Sequence, residues 1–241
     1  MSHNLKQRLI SGIFMLAIAI ATLWLAGGFP FRIFYLLASA MALIELFTNL
    51  RAYSESNLHG LLPHDYQAVA AHVFIQAVII SVGAFAVAVL LPRRFIILTI
   101  VIAYANDIGA YTFGKLTHGL LFTSKPFPET SPNKSWEGFI GGALTAAAVC
   151  AMVDKFHWLG VLNDGVFIST MLIGWFVAVF GDWFESRTKR LLGIKDAGDI
   201  LQDTPFFRHV ECITAGHGGF LDRLDSLSAV AIFVALTIAI F

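Results

Sequence analysis

Long apolar stretches separated by short polar segments dominate the pattern along this chain. Seven windows are long enough to cross a bilayer, which takes about 20 apolar residues. The first window exceeds the roughly 7–15 apolar residues of a secretory signal, so we interpret it as a retained helix. The pattern predicts an all-α, polytopic membrane protein of about seven transmembrane helices, at residues 9–28, 31–50, 72–91, 95–114, 136–153, 164–184 and 224–241.

The composition agrees with this interpretation. The 241 residues are 57% hydrophobic and only 13% charged, whereas soluble domains carry about 25% charged residues. The formal net charge is zero, so the distribution of charge is more informative than its sum. Cys150 and Cys212 lie far apart without metal-ligand spacing, which favours two thiols with no metal.

The positive charges are distributed unequally between the two sides of the predicted helices. With a cytoplasmic N-terminus, the far side holds Arg32, Arg93, Arg94 and Lys155. The cytoplasmic side holds Lys6, Arg8, Arg51, Lys115, Lys125, Lys134, Arg187, Lys189, Arg190, Lys195, Arg208 and Arg223. This excess predicts a cytoplasmic N-terminus and places the long polar segments 115–135 and 185–223 on the cytoplasmic side.

Four acids lie within or at the ends of the apolar windows: Glu45, Asp107, Glu137 and Asp182. An acid at the bilayer centre costs about 2.5–3.5 kcal/mol, so each is a candidate functional residue. The alternative is an acid near a helix end that reaches the interface or pairs with a lysine, and it stays open for Glu45. Asp107 lies among small and aromatic residues in "YANDIGAYTFGK". Because most of the acids fall toward one face, we predict a polar site that opens to the cytoplasm.

Three polar stretches converge on that face: "SPNKSWEGFIGG" at 131–142, "GDWFESRTKRLLGIKD" at 181–196 and "GHGGFLDRLDS" at 216–226. Basic residues after a membrane helix commonly anchor it to anionic head groups, but this does not account for the interleaved acids. Carboxylates hold Mg²⁺, and glycine-rich backbone approaches phosphates closely. Asp222 and Asp225 fall on one face of a helix start. These stretches therefore predict phosphate chemistry with a divalent metal.

In these stretches the sequence resembles the phosphatidate cytidylyltransferase (CDP-diacylglycerol synthase) family. The likeness covers about residues 100–228. One departure is the insert 202–215, whose apolar spacing predicts a short interfacial helix. The positions that match the family's C-terminal signature are Ser186, Lys189, Arg190, Lys195, Asp196, His217, Gly218, Gly219, Asp222, Arg223 and Asp225.

The resemblance implies transfer of a cytidylyl group from CTP to phosphatidate, with Mg²⁺ as cofactor, in phospholipid biosynthesis. It implies an N-terminal helical region at 1–94 and a catalytic membrane region at 95–241. The expected catalytic residues are Asp196, Asp222, Lys189 and Asp182, with Asp196, Asp222 and Asp225 at the metal. The expected substrate-binding residues are Lys134, Arg190, Lys195, His217, Gly218, Gly219, Arg223 and Asp107.

The expected partners are the two substrates and the lipid bilayer, with a homodimer as an open option and no nucleic acid. The expected location is a bacterial inner membrane with the active site facing the cytoplasm. Two alternatives come from other classes. A CTP-dependent polyprenol kinase would use similar parts but would need a base for the lipid hydroxyl. An ion-coupled transporter would use the buried acids and function without nucleotide.

Overall fold

The computed structural model describes residues 21–23, 25–57, 63–117, 121–122, 124–156, 164–198 and 219–241. The described residues are helical or in connecting turns, with no β-strand among them, which confirms the all-α prediction. Most of the predicted first span, the insert at 202–215 and the residues His217 and Gly218 lie outside the described residues.

Six long helices account for most of the described chain. Each contains a segment long and apolar enough to cross a membrane, which confirms six of the predicted windows. A single turn of 3₁₀ helix, Leu25–Gly28, precedes the first of them, and a π-helical turn, Ala86–Leu90, follows the second. The six are α1 (Phe29–Asn57), α2 (Pro63–Phe85), α3 (Arg93–Thr117), α4 (Trp136–Lys155), α5 (Asp164–Leu191) and α6 (Leu221–Ile240).

Large apolar side chains lie exposed on several of these helices, among them Leu37, Phe74, Ile108 and Leu172. A surface of this kind suits lipid rather than water, because each helix satisfies its own backbone hydrogen bonds and its exposed apolar side chains can contact hydrocarbon. The protein is therefore an integral membrane protein.

The described chain forms two compact units. The first is built from residues within 1–84 and 188–224, and the second from residues within 85–187 and 225–241. Helices α5 and α6 each contribute residues to both units. The functional division into 1–94 and 95–241 rests on where the signature residues fall, and it stays a prediction.

Glycines allow α3 and α4 to pack closely in the second unit. A Cβ atom at Gly109 would lie 2.7 Å from the carbonyl oxygen of Gly141, and one at Gly138 would lie 2.7 Å from that of Ala110. Small residues at such positions let membrane helices approach each other closely. Helix α4 begins after Ser135, whose hydroxyl accepts a hydrogen bond from the Gly138 N–H at 3.1 Å.

Helix α5 ends in the first unit with a left-handed residue. Gly193 has φ +74°, which glycine adopts without steric cost. The N–H of Ile194 donates to the carbonyl of Lys189 at 3.0 Å, and that of Gly193 donates to Arg190 at 3.1 Å. This pair of bonds is a Schellman motif, which satisfies carbonyls at the helix end. The helix therefore ends at Leu191, four residues before Lys195.

Candidate active site

In the first unit, an ion pair joins the end of α5 to the start of α6. Lys189 donates to one oxygen of Asp222, and the two side chains are only 10% and 12% exposed. The other oxygen of Asp222 accepts from the backbone N–H of Ala197 at 3.2 Å and of Gly219 at 2.6 Å. Asp222 thus fixes a lysine and two loop segments at once, as an acid in the first turn of a helix can do.

Glu45, an acid in the middle of α1, is buried within the same unit. Its two oxygens accept from the backbone N–H groups of Phe220 and Leu221, each at 2.9 Å. These donors belong to the start of α6, where the first N–H groups of a helix have no intrahelical partner. The structure therefore gives Glu45 a helix-capping role.

Close approach around Glu45 explains why Gly219 is a glycine. A Cβ atom there would lie 2.5 Å from Glu45 Oε2 and 2.8 Å from the Gly198 nitrogen. Asn49, one turn after Glu45, donates to the carbonyl oxygen of Ala197 at 2.8 Å. Helix α1 therefore holds both segments that donate to Asp222.

The remaining signature residues of this unit differ in exposure. Lys195 is exposed, while Asp196 and Arg223 are half-buried. Arg190 is exposed, and its guanidinium donates to the carbonyl of Ile194 at 3.0 Å. The structure thus brings Lys189, Gly219 and Asp222 together and places Asp196 beside Ala197, the donor to Asp222.

In the second unit, a lysine and an acid from distant parts of the chain form another ion pair. Lys134, just before α4, donates to Asp182 of α5, and each side chain is about one-third exposed. The other Asp182 oxygen lies 3.4 Å from the hydroxyl of Ser186, one turn later. The predicted phosphate ligand Lys134 is thereby positioned by the predicted catalytic acid Asp182.

Asp182 also belongs to a group of three carboxylates, with Glu185 and Asp225, whose oxygens lie within 4.8 Å of one another. Glu185 and Asp225 are 1% and 7% exposed. Helices α5 and α6 meet closely here, since a Cβ atom at Gly181 would lie 2.7 Å from the Asp225 carbonyl oxygen. An oxygen-only donor set of this kind suits a hard divalent cation. The group is therefore a candidate metal-binding site.

A cavity of about 470 Å³ lies in the second unit, next to the Lys134–Asp182 pair. Helix α3 contributes Asn106 and Asp107, and aromatic walls come from Phe127 and Phe139. Its volume lies within the range of about 300–1,000 Å³ typical of small-molecule sites. Asp107, predicted to bind substrate, thus lines the same cavity as Lys134 and Asp182.

Sequence reasoning did not single out Glu185. Its spacing of three residues from Asp182 puts both acids on one face of α5, and this signal could have found it.

The acid Glu137 has a structural role, because one of its oxygens accepts from the backbone N–H groups of Leu121 and Phe122, each at 3.0 Å. It is 5% exposed and fastens that segment to the start of α4.

Comparison with known proteins gives a family match over most of the chain. A sequence profile of the cytidylyltransferase family matches residues 64–241. The chain is 34% identical to the phosphatidate cytidylyltransferase of Helicobacter pylori over 230 residues, which cover 94% of this chain and 73% of the relative. It is 29% identical to that of Bacillus subtilis in an alignment that covers 99% of both chains.

A relative from Mycobacterium bovis, also named phosphatidate cytidylyltransferase, is 39% identical over 142 residues. That match covers 56% of this chain and 38% of the relative. The identity is thus higher over a shorter part of the chain.

Proposed function

This chain belongs to the cytidylyltransferase family, and we propose that it transfers a cytidylyl group from CTP to phosphatidate, giving CDP-diacylglycerol and pyrophosphate. The observation that carries the proposal is the family match over residues 64–241. The relatives whose alignments cover nearly the whole of this chain share one name, phosphatidate cytidylyltransferase. The ion pairs and acids of the two units supply residue types that this chemistry requires.

In the proposed reaction, a phosphate oxygen of phosphatidate forms a bond with the α-phosphorus of CTP. The bond from that phosphorus to the oxygen bridging the β-phosphate breaks, and pyrophosphate leaves with the electron pair. The attacking oxygen is already anionic, so no general base and no covalent protein nucleophile are needed. What the protein must supply is alignment of two anions and neutralisation of the developing charge.

We propose that phosphate groups of the substrates are bound by Lys134, Lys189, Arg190, Lys195, Arg223, His217, Gly218 and Gly219. Support comes from the two lysines that are held by acids, Lys189 by Asp222 and Lys134 by Asp182. A lysine held by a carboxylate meets a phosphate without first losing the freedom of its long side chain. Preorganised cations of this kind stabilise charge that develops on a leaving group.

We propose Mg²⁺ as the metal and assign it to Asp182, Glu185 and Asp225. The donor set fits, because all three are carboxylates and Mg²⁺ is usually held by one or two carboxylates together with waters and substrate phosphates. When bound, the ion would offset the negative charge on the departing pyrophosphate. The set implied by the resemblance, Asp196, Asp222 and Asp225, stays a prediction. Asp225 is common to both sets.

We further propose that the protein lies in a bacterial inner membrane and that its active site faces the cytoplasm. The charge distribution supports the orientation, and the bacterial relatives support the organism class. A homodimer stays a prediction.

The proposed reaction is tested with purified protein, phosphatidate in mixed micelles, Mg²⁺ and CTP labelled at one phosphate. Label at the α-phosphate should enter the lipid product, and label at the γ-phosphate should appear only in pyrophosphate. The matched control is Glu55→Gln, which changes an exposed acid paired with Arg51 and should behave like the unaltered protein. Entry of the γ-label into lipid would indicate a kinase, and no label in lipid from either labelled CTP would reject the proposed reaction.

A further inference from the structure

The cavity of the second unit combines flat apolar walls with an acid at one side. Phe139 is held edge-on by Trp136 at 5.6 Å and by Trp175 at 5.0 Å between ring centroids. Phe127 lies 6.0 Å from the ring of Trp183. Aromatic side chains that line a cavity can stack against a planar nucleobase.

Asp107 has acceptor capacity to spare. Its side chain is exposed and lines the cavity. In the described part of the chain its one hydrogen bond is a long contact of 3.5 Å, donated by Asn106. An ionised carboxylate has room for about four donors, so most of its capacity can serve a ligand.

The charges of the cavity favour a base over a lipid phosphate at this position. A phosphate beside Asp107 would meet a like charge, whereas the other acid that lines the cavity, Asp182, is paired with the cation Lys134. Cytosine presents an exocyclic amino group, and carboxylates accept from that group. Uracil presents an oxygen at the corresponding position, which a carboxylate repels.

We propose that this cavity is the base subsite of the nucleotide, in which Asp107 accepts a hydrogen bond from the N4 amino group of cytosine and so selects CTP over UTP. The ring lies against the aromatic wall, and the phosphates extend toward Lys134. This assignment rests on the proposed function, and it adds a specificity-determining residue to it.

The test compares Asp107→Asn with the unaltered protein, using CTP and UTP in parallel and measuring kcat/KM for the labelled nucleotide-lipid product. Asparagine keeps the shape of the side chain, removes its charge and can donate to the uracil oxygen. The ratio of kcat/KM for CTP to that for UTP should fall about tenfold or more. Because both values come from one preparation, the ratio does not depend on how much of the variant folds.

Asp154→Asn is the matched control, since Asp154 is a half-buried acid near the end of α4 that does not line the cavity. Its nucleotide ratio should be unchanged. An unchanged ratio in Asp107→Asn, or a change only in the KM for phosphatidate, would overturn the base subsite while leaving the proposed reaction intact. If the unaltered protein makes no nucleotide-lipid from CTP, the proposed function itself fails.

Discussion

Asp222 and Glu185 are two acids of the candidate site with different surroundings. Asp222 accepts from a lysine and two backbone N–H groups, which occupy both of its oxygens. Glu185 is 1% exposed and lies with two further carboxylates. Cationic and N–H donors stabilise the anionic form of Asp222, and a divalent cation would offset the mutual repulsion of the three carboxylates around Glu185. The two residues should therefore respond differently to Mg²⁺.

We expect Glu185→Gln to raise the Mg²⁺ concentration for half-maximal activity about tenfold or more, since the change removes the charge of a proposed ligand. Asp222→Asn should lower turnover per folded molecule with a nearly unchanged Mg²⁺ requirement. Its amide cannot pair with Lys189 in the same way, and saturating metal does not restore that contact. Activity is measured against Mg²⁺ concentration for both variants.

Glu55→Gln is the control for this titration, because Glu55 is exposed and outside both clusters. Breaking a buried ion pair destabilises by about 3–5 kcal/mol, so the activities are normalised to folded protein measured by size-exclusion chromatography. A raised Mg²⁺ requirement in Asp222→Asn but not in Glu185→Gln would support the ligand set implied by the resemblance instead.

The sequence identified the signature acids and lysines but not all of their contacts. Glu45 stands out as an acid in an apolar window, yet its partners are backbone N–H groups 175 and 176 residues away. Backbone donors carry no residue-type signal, so no pattern in the sequence identifies them. Lys189 and Asp222 could be grouped through the family signature, although nothing in their spacing specifies an ion pair.

At the scale of elements, the contact between α3 and α4 depends on glycine. A Cβ at Gly109 would meet the side chain of Thr145 and the backbone carbonyl of Gly141. A Cβ at Gly114, further along α3, would meet nothing closer than the Ser135 hydroxyl at 3.2 Å. Comparing alanine substitutions at the two positions therefore distinguishes a steric requirement for glycine from the general cost of glycine in a helix.

We expect Gly109→Ala to destabilise the protein more than Gly114→Ala does. Replacing glycine by alanine in a helix gains about 1 kcal/mol, but overpacking typically costs about 1–3 kcal/mol and here a backbone atom must move. The measurement is the thermal unfolding midpoint in detergent micelles. Equal midpoints for the two variants would show that α3 and α4 do not require close approach at Gly109.

The helices themselves were predictable because apolar length is a property of the sequence alone. Their ends were less so. The predicted window 164–184 lies within α5, which continues to Leu191 and so keeps Lys189 and Arg190 on a helix. The end is set by Gly193 and its Schellman bonds. Hydropathy does not report such an end, although a glycine after basic residues is a recognised helix stop.

At the scale of the whole molecule, each compact unit is assembled from two separate parts of the chain. The unit boundaries fall at residues 84–85, 187–188 and 224–225, inside α2, α5 and α6, where the sequence shows no linker or change in composition. A boundary of this kind depends on tertiary packing. From the sequence, the chain could be divided only at the point where the family signature begins.

The orientation in the membrane is the property of the whole chain that charge alone predicts. The excess of Lys and Arg on one side places Lys125 in the cytoplasm and Arg94 on the far side. Arg94 lies at the start of α3 and Lys125 follows its end by eight residues in the sequence, and both are exposed. We therefore expect a single cysteine at Arg94 to react with an impermeant maleimide in intact cells, and one at Lys125 to react only after permeabilisation.

Both cysteines are introduced after Cys150 and Cys212 have been replaced, and each variant must retain CTP-dependent activity. Helix α3 is long and apolar enough to span the membrane, so the two positions are expected on opposite sides. Each labelled position therefore serves as the control for the other. The reverse pattern would invert the orientation and place the 121–135 segment, with Lys134, away from cytoplasmic CTP. Labelling of both positions in intact cells would show that α3 does not cross the membrane, and the candidate site would then lack the sidedness that a cytoplasmic nucleotide requires.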